Sequence, residues 1–194
     1  MQLAIATELP VATKKVILQD YINLVKENEA YQEGFDASVA TINSKGRDAQ
    51  LYRLLSTYYS QKNKETASGS TSEGLSFLEK ALQADPENLE LITKVAQAQL
   101  QAGNYDNALK TTAAALELFP SQPQLYLDNA KANNALGNFD AAIESLELGI
   151  DYSIDNKDQE VQFYQIWANA YKGKGDTSNY NKYLDRARAI KPQG

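Results

Sequence analysis

The stretch Gly103–Lys110, GNYDNALK, returns almost unchanged as GNFDAAIE at Gly137–Glu144, 34 positions further along the chain. In both copies Gly-Asn precedes an aromatic residue and an Asp, and an Ala stands two places after the Asp. A fixed period of about 20 to 50 residues is the sequence signature of a repeat architecture. The sequence therefore predicts a chain that is built from repeated units.

The residues around the two copies predict a pair of helices in each unit. Residues before Gly103 are spaced three, one and three positions apart, which is the spacing of one face of an α-helix. The Gly-Asn step supplies the left-handed residue that ends the first helix. Each unit is therefore predicted to be a helix, a tight turn and a second helix. The spaced positions of the two copies are Ile92, Val95, Ala96 and Gln99, then Tyr126, Asn129, Ala130 and Asn133.

The pattern of bulky, small, glycine, aromatic and proline positions resembles the tetratricopeptide repeat, most specifically over residues 89–192. Small residues such as Ala130 and Ala142 allow two helices to approach closely, and bulky residues fill the grooves between helix pairs. One repeat cannot bury its apolar face alone. The resemblance therefore implies an all-α, right-handed superhelical α-solenoid of stacked helix pairs in a single domain. Repeats are expected at residues 15–48, 49–88, 89–122, 123–160 and 161–194, the first of them degenerate.

The second expected repeat departs from the period because extra residues separate its two helices. The insertion is NKETASGSTSEG, residues 63–74, and it is polar and rich in Ser, Thr and Gly. Such a composition is typical of a surface loop. We predict that the whole insertion is a loop.

The composition removes most catalytic chemistries. The 194 residues contain no Cys and no His, so the usual zinc sites, thiol nucleophiles and His-based triads lack their key residues. Carboxylate pairs such as Glu144 and Glu147 fall on helix faces that the repeat pattern assigns to solvent. No nucleophile, base and orienting group come together in the pattern. We therefore predict no enzymatic activity, no catalytic residue and no cofactor.

The segment between the last two expected repeats has the spacing of a calcium loop. Two of its positions argue against that interpretation, because Asn156 stands where the loop needs Gly and Gln162 where it needs a bidentate Glu. A polar insertion in an exposed turn is the simpler interpretation, and we predict no metal site. The residues at ligand-like positions are Asp151, Ser153, Asp155 and Gln159.

The net charge of −6 argues against a nucleic-acid partner, because such binding depends on Lys and Arg at the phosphates. No apolar run approaches the length of a membrane span, and the opening MQLAIATELP has no basic region of a signal peptide. The cytoplasm is the default expectation, but the sequence does not determine the compartment. The start is also compatible with a segment of a longer protein.

In this family the first helices of the repeats line a concave groove. The resemblance therefore implies a scaffold or adaptor that binds a peptide or helix of a partner protein. The groove side chains are mostly amides, which can donate to and accept from a peptide backbone, although amides are also ordinary surface residues. The alternative is an accessory segment of a larger enzyme or of a secretion or assembly machine. The expected groove residues are Arg53, Thr93, Gln97, Leu127, Lys131, Asn134, Gln165 and Asn169.

Some members of the family hold the acidic tail of a chaperone with a clamp of Lys, Asn and Arg side chains. At the clamp positions this chain has Thr93, Gln97, Asp128, Gln162 and Ile166, and none of them matches. An Asp would repel the carboxylates of the tail. We therefore predict that the groove is not an acidic chaperone-tail clamp and binds an uncharged or mixed peptide.

Asn129 and Asn133 occupy positions where an apolar residue is expected. A buried amide without hydrogen bonds costs roughly 1–3 kcal/mol. The simpler hypothesis is that the two side chains bond to each other or to a neighbouring backbone. The other hypothesis is that this helix pair is adapted to a polar ligand.

Overall fold

The computed structural model describes residues 8–45, 48–65 and 72–190, and the secondary structure in these ranges is entirely helical. Two short 3₁₀ turns, Glu29–Tyr31 and Ile150–Tyr152, lie between α-helices. The helices are α1 (Val11–Glu27), α2 (Gln32–Lys45), α3 (Ala49–Glu65), α4 (Ser72–Ala84), α5 (Leu89–Gln101), α6 (Tyr105–Leu118), α7 (Pro123–Ala135), α8 (Phe139–Gly149), α9 (Lys157–Gly173) and α10 (Thr177–Ala189). The prediction of an all-α fold of paired helices is confirmed.

The tight turns within three of the helix pairs are closed by glycines in the left-handed region. Gly103, Gly137 and Gly175 have φ angles of 74°, 79° and 74°, which residues with a Cβ rarely adopt. The amide after each glycine donates back to the end of the preceding helix, as in Asn104 N to Gln99 O at 2.8 Å and Asn138 N to Asn133 O at 2.9 Å. These are the helix-ending contacts that the Gly-Asn step predicts.

The predicted loop at residues 63–74 does not agree with the structure at either end. Helix α3 continues through Glu65, and α4 already begins at Ser72. The prediction was therefore wrong at both ends, because Ser, Lys and Glu near a helix end continue the helix without difficulty. The remaining part of the loop, residues 66–71, lies outside the described residues.

The chain divides into two compact units, residues 1–91 (unit 1) and residues 92–194 (unit 2). In unit 1, α1 packs against α3, and α3 packs against α4. The centre of its core is Phe35, which is completely buried and meets the rings of Tyr21 and Tyr58 edge-on, with centroid distances of 5.8 and 5.0 Å. Tyr52 and Phe77 extend this aromatic core.

In unit 2, α7 packs against α6 and α8, and α9 packs against α7, α8 and α10. Small residues lie where the helices approach most closely. Ala130 and Ala142 are completely buried, and a Cβ on Gly149 would collide with the ring of Tyr126. These are the positions at which the repeat pattern predicts close helix contacts. Phe163 and Trp167 of α9 complete the apolar core.

The amides of α7 form a buried hydrogen-bond network in unit 2. Asn129 Nδ2 donates to Thr112 Oγ1 at 2.9 Å, and Asn133 Nδ2 donates to Asn129 Oδ1 at 2.9 Å. Ser145 Oγ donates to the same Oδ1 at 2.7 Å. The simpler hypothesis is confirmed, because Asn129 and Asn133 bond to each other and to side chains of α6 and α8. The hydrogen bonds satisfy the polar groups that burial removes from water.

In the part of the chain that the structure describes, no helix is both long enough and apolar enough to cross a lipid bilayer.

Candidate peptide-binding surface

All seven expected groove residues of unit 2 lie on the first helices of successive helix pairs, α5, α7 and α9. Gln97 of α5 and Gln165 and Asn169 of α9 are exposed. Lys131 and Asn134 of α7 are half-buried, as is Thr93 of α5. We call this set, without Thr93, the amide face of unit 2.

Leu127 does not lie on the amide face. Its side chain is 0% exposed and belongs to the core cluster that contains Phe163 and Ile166 of α9. Because α9 packs directly against α7, the neighbouring helix covers the side of α7 on which Leu127 lies. Leu127 therefore lies in the core of unit 2 and not on an exposed surface.

Asp128 is buried in the middle of the amide face. Its Oδ1 accepts hydrogen bonds from Gln124 Nε2 at 2.9 Å and from Lys131 Nζ at 3.2 Å. The side chain is 0% exposed, whereas that of Lys131 is 39% exposed. Burial raises the pKa of Asp128, and the charge of Lys131 and hydrogen bonds from Gln124, Lys131 and Gln97 oppose this rise.

The Asp128 carboxylate brings together two of the expected groove residues, Gln97 of α5 and Lys131 of α7. It also changes the chemistry of Lys131, because the ammonium group already has an anionic partner 3.2 Å away. The pair is locally neutral. Lys131 therefore attracts an acidic ligand less strongly than a lysine that has no carboxylate beside it.

Asn134 connects α7 to α9. Its Nδ2 donates to the backbone oxygen of Ile166 at 3.0 Å. Its Oδ1 is buried without a hydrogen-bond partner among the described residues. Sequence reasoning identified Asn134 as a groove residue, and the structure gives its amide nitrogen a structural contact that helps to hold the two helices together.

Arg53 lies in unit 1. Its Nη2 forms an ion pair with Glu90 Oε1 at 2.8 Å. It also lines a cleft of about 510 Å³, together with Lys15 of α1, Gln50, Leu54 and Thr57 of α3, and Asp85 and Asn88 from the turn before α5. Sequence reasoning did not select Lys15, Gln50 or Asn88. Gln50 stands one place after the expected start of a repeat, and that register is the signal that could have identified it.

The calcium-like segment forms the start of α9. Asn156 Oδ1 accepts the backbone amide of Gln159 at 3.0 Å and so caps the helix. Ser153 Oγ donates to Gln159 Oε1 at 3.1 Å. Among the described residues no group of three or more acidic side chains is placed to hold a metal ion.

These observations define a helical-repeat protein in which neighbouring helix pairs share a continuous core inside each unit. Comparison with family models then identifies the repeat, since residues 65–117 and 100–153 match the model of the tetratricopeptide repeat. Residues 65–153 thus carry tetratricopeptide repeats, and the resemblance seen in the sequence is confirmed there. No curated protein sequence matches this chain.

Solved structures of MamA share the fold. MamA AMB-1 is 19% identical with a TM-score of 0.63, and the alignment covers 89% of this chain and 95% of MamA. MamA MSR-1 is 18% identical with a TM-score of 0.62, over 91% and 96% of the two chains. MamA of Desulfovibrio magneticus RS-1, from residue 41 to its end, is 13% identical with a TM-score of 0.61, over 89% and 94%. At these identities the comparison establishes the fold alone.

Proposed function

We propose that this chain is a protein–protein interaction scaffold that binds an extended peptide of a partner protein along the amide face of unit 2. Tetratricopeptide repeats and this fold fit such a scaffold and are typical of proteins without catalytic activity. The observation that carries the proposal is the exposure of Gln97, Gln165 and Asn169 on α5 and α9. These amides flank α7 on both sides, and each can donate to and accept from a peptide backbone.

The packing of the helices beneath the surface supports this proposal. Gln97 lies close enough to Asp128 to affect its pKa through a hydrogen bond, and Asn134 donates to the backbone of α9. Both α5 and α9, which carry the exposed amides, therefore have a side chain or backbone group next to α7. A preformed surface loses little entropy on binding, which favours affinity.

The test uses peptides selected by display of random twelve-residue sequences against the immobilised chain. Calorimetry then compares the wild type with the double variant Gln165→Ala/Asn169→Ala. We expect about a tenfold loss of affinity, because each hydrogen bond contributes about 0.5–1.5 kcal/mol and about 1.4 kcal/mol corresponds to a factor of ten.

The matched control is the double variant Asn107→Ala/Asn181→Ala, which removes two exposed amides from the second helices α6 and α10 of the same unit. It should change the affinity less than about twofold, since surface substitutions away from a contact have small effects. Equal affinities of the two double variants for the selected peptides would contradict the proposal.

The same surface should not bind an acidic chaperone-tail peptide at micromolar concentration. The reason is the Lys131–Asp128 pair, in which the ammonium group already faces a buried carboxylate. Affinity for the selected peptides should also fall only weakly with added salt, because few exposed ion pairs are screened. Tight, salt-sensitive binding of the acidic tail that is lost in Lys131→Ala would instead show that this surface acts as an acidic-tail clamp.

A further inference from the structure

One oxygen of the Asp128 carboxylate has no hydrogen-bond partner among the described residues. Oδ1 accepts from Gln124 and Lys131, and the nearby Gln97 side chain also favours the ionised form, but Oδ2 has no hydrogen-bond partner in the described ranges. The oxygen is buried. An ionised carboxylate is a pure acceptor with room for several hydrogen bonds, and an unsatisfied buried acceptor is destabilising. Oδ2 is therefore prepared to accept a hydrogen bond from a group outside the chain.

The side chains that contact Asp128 are long and at least partly exposed. The Lys131 side chain is 39% exposed, Gln97 is exposed and Gln124 is half-buried. Long side chains of this kind change rotamer on a nanosecond timescale at a surface. A change of rotamer at Lys131 or Gln97 is therefore the movement by which a ligand would reach the carboxylate.

The geometry of the existing ion pair leaves it open to replacement. Lys131 Nζ reaches only Oδ1, at 3.2 Å, from a position three residues further along the same helix. A guanidinium group presents parallel N–H donors that match both oxygens of a carboxylate, which a single ammonium group does not. A ligand guanidinium would satisfy Oδ2 as well as Oδ1, and the displaced Lys131 ammonium would enter the solvent.

We propose that Asp128 is a specificity-determining residue that selects a partner peptide with an arginine side chain at the position above α7. The inference rests on the proposed function, because it assigns a ligand chemistry to the amide face. Gln97 and Lys131 then act as a polar cover that the arginine displaces. An acidic residue at the same position of the peptide would meet the carboxylate and be rejected.

The experiment uses two synthetic pools of nine-residue peptides with blocked ends. The sequences are random except at the central position, which is Arg in one pool and Glu in the other. Retention of each pool on the immobilised wild-type chain is measured by mass spectrometry. We expect the wild type to retain the Arg pool at least fivefold more strongly than the Glu pool. Asp128→Asn should reduce the preference to less than about twofold, because the isosteric amide is uncharged.

Asp106→Asn is the matched control, since it removes one exposed negative charge from α6 of the same unit. It should keep the preference for Arg, which separates the Asp128 site from general attraction to an acidic chain. Thermal unfolding of both variants shows whether each is folded. If Asp128→Asn is unfolded, Gln97→Ala is used instead. Loss of a backbone contact of Gln97 lowers retention of both pools alike, so removal of this side chain should raise the ratio of Arg-pool to Glu-pool retention.

The outcomes distinguish this inference from the proposed function. Equal retention of the two pools by the wild type, or an unchanged preference in Asp128→Asn, overturns the arginine site and leaves peptide binding intact. Failure of the wild type to retain either pool overturns both the site and the proposed function.

Discussion

The two units follow the same repeat pattern, but the side chains in their cores differ in polarity. In unit 1 the core is aromatic, and Phe35 meets Tyr21 and Tyr58 edge-on. In unit 2 part of the core is a chain of amides and hydroxyls around Asn129 and Asn133. The core of unit 1 gains stability from buried apolar area and ring contacts. The polar part of the core of unit 2 is stable only if every polar group has a hydrogen-bond partner, because a half-satisfied network in a low-dielectric core is destabilising.

The comparison shows that the repeat constrains the size and direction of a side chain more strongly than its polarity. Asn129 occupies a position that Val95 occupies one repeat earlier. Both side chains are buried. Asn is tolerated because α6 and α8 supply Thr112 and Ser145 as hydrogen-bond partners. Removal of side-chain volume should therefore destabilise the aromatic core, and removal of a hydrogen-bond partner should destabilise the amide core.

The largest expected effect is on the aromatic core. Phe35→Ala should lower the free energy of unfolding by about 3–5 kcal/mol, because the ring is completely buried and its removal leaves a cavity. Urea unfolding followed by circular dichroism measures the change. Tyr31→Ala is the control in the same unit, since Tyr31 is 43% exposed. It should have little effect. Similar losses for the two variants would mean that the Phe35 ring is not the centre of the core.

The sequence was sufficient for the fold because the repeat is a local pattern. Glycines at Gly103 and Gly137 mark the turns, and small residues at Ala130 and Ala142 mark the close contacts. The candidate surface was less predictable. Repeat position correctly indicated that Gln97, Gln165 and Asn169 are exposed, but it also selected Leu127, which is buried.

The exposure of Leu127 was not predictable from its repeat position, because exposure depends on contacts between repeats. Leu127 is covered by α9, a helix that begins 30 residues later in the sequence. The burial of Asp128 also depends on neighbouring helices, and no local pattern distinguishes it from an exposed Asp such as Asp106. Contacts of this range are determined by how helices stack, which a single sequence does not specify.

An intermediate effect is expected in the amide core. Asn129→Ala should destabilise the protein by roughly 1–3 kcal/mol, because Asn129 bonds to Thr112, Asn133 and Ser145 and all three lose a partner. Thermal or urea unfolding measures the difference. Asn107→Ala, at an exposed position of α6, is the control, because it makes the same Asn-to-Ala substitution outside the buried hydrogen-bond network. Equal stability of the two variants would show that the network does not contribute to the core.

The smallest effect is the pH dependence that Asp128 gives to stability. Burial raises the pKa of Asp128 in the folded protein, so the unfolded chain releases this proton at a lower pH than the folded one. Between the two pKa values the folded state holds more protons, and stability therefore falls as pH rises. The slope from one group is at most about 1.4 kcal/mol per pH unit. Lys131 reduces it by stabilising the ionised form.

Asp128→Asn isolates this contribution, since Asn has nearly the same shape and does not titrate. The free energy of unfolding of the wild type minus that of the variant should decrease as the pH is raised from 4 to about 7. Asp106→Asn should give a difference with little slope, because Asp106 is exposed. If the difference instead increases with pH, the ionised carboxylate is stabilised overall by Lys131, Gln97 and Gln124. The buried charge would then have enough partners within the chain, and the physical reason for an external donor at Oδ2 would disappear.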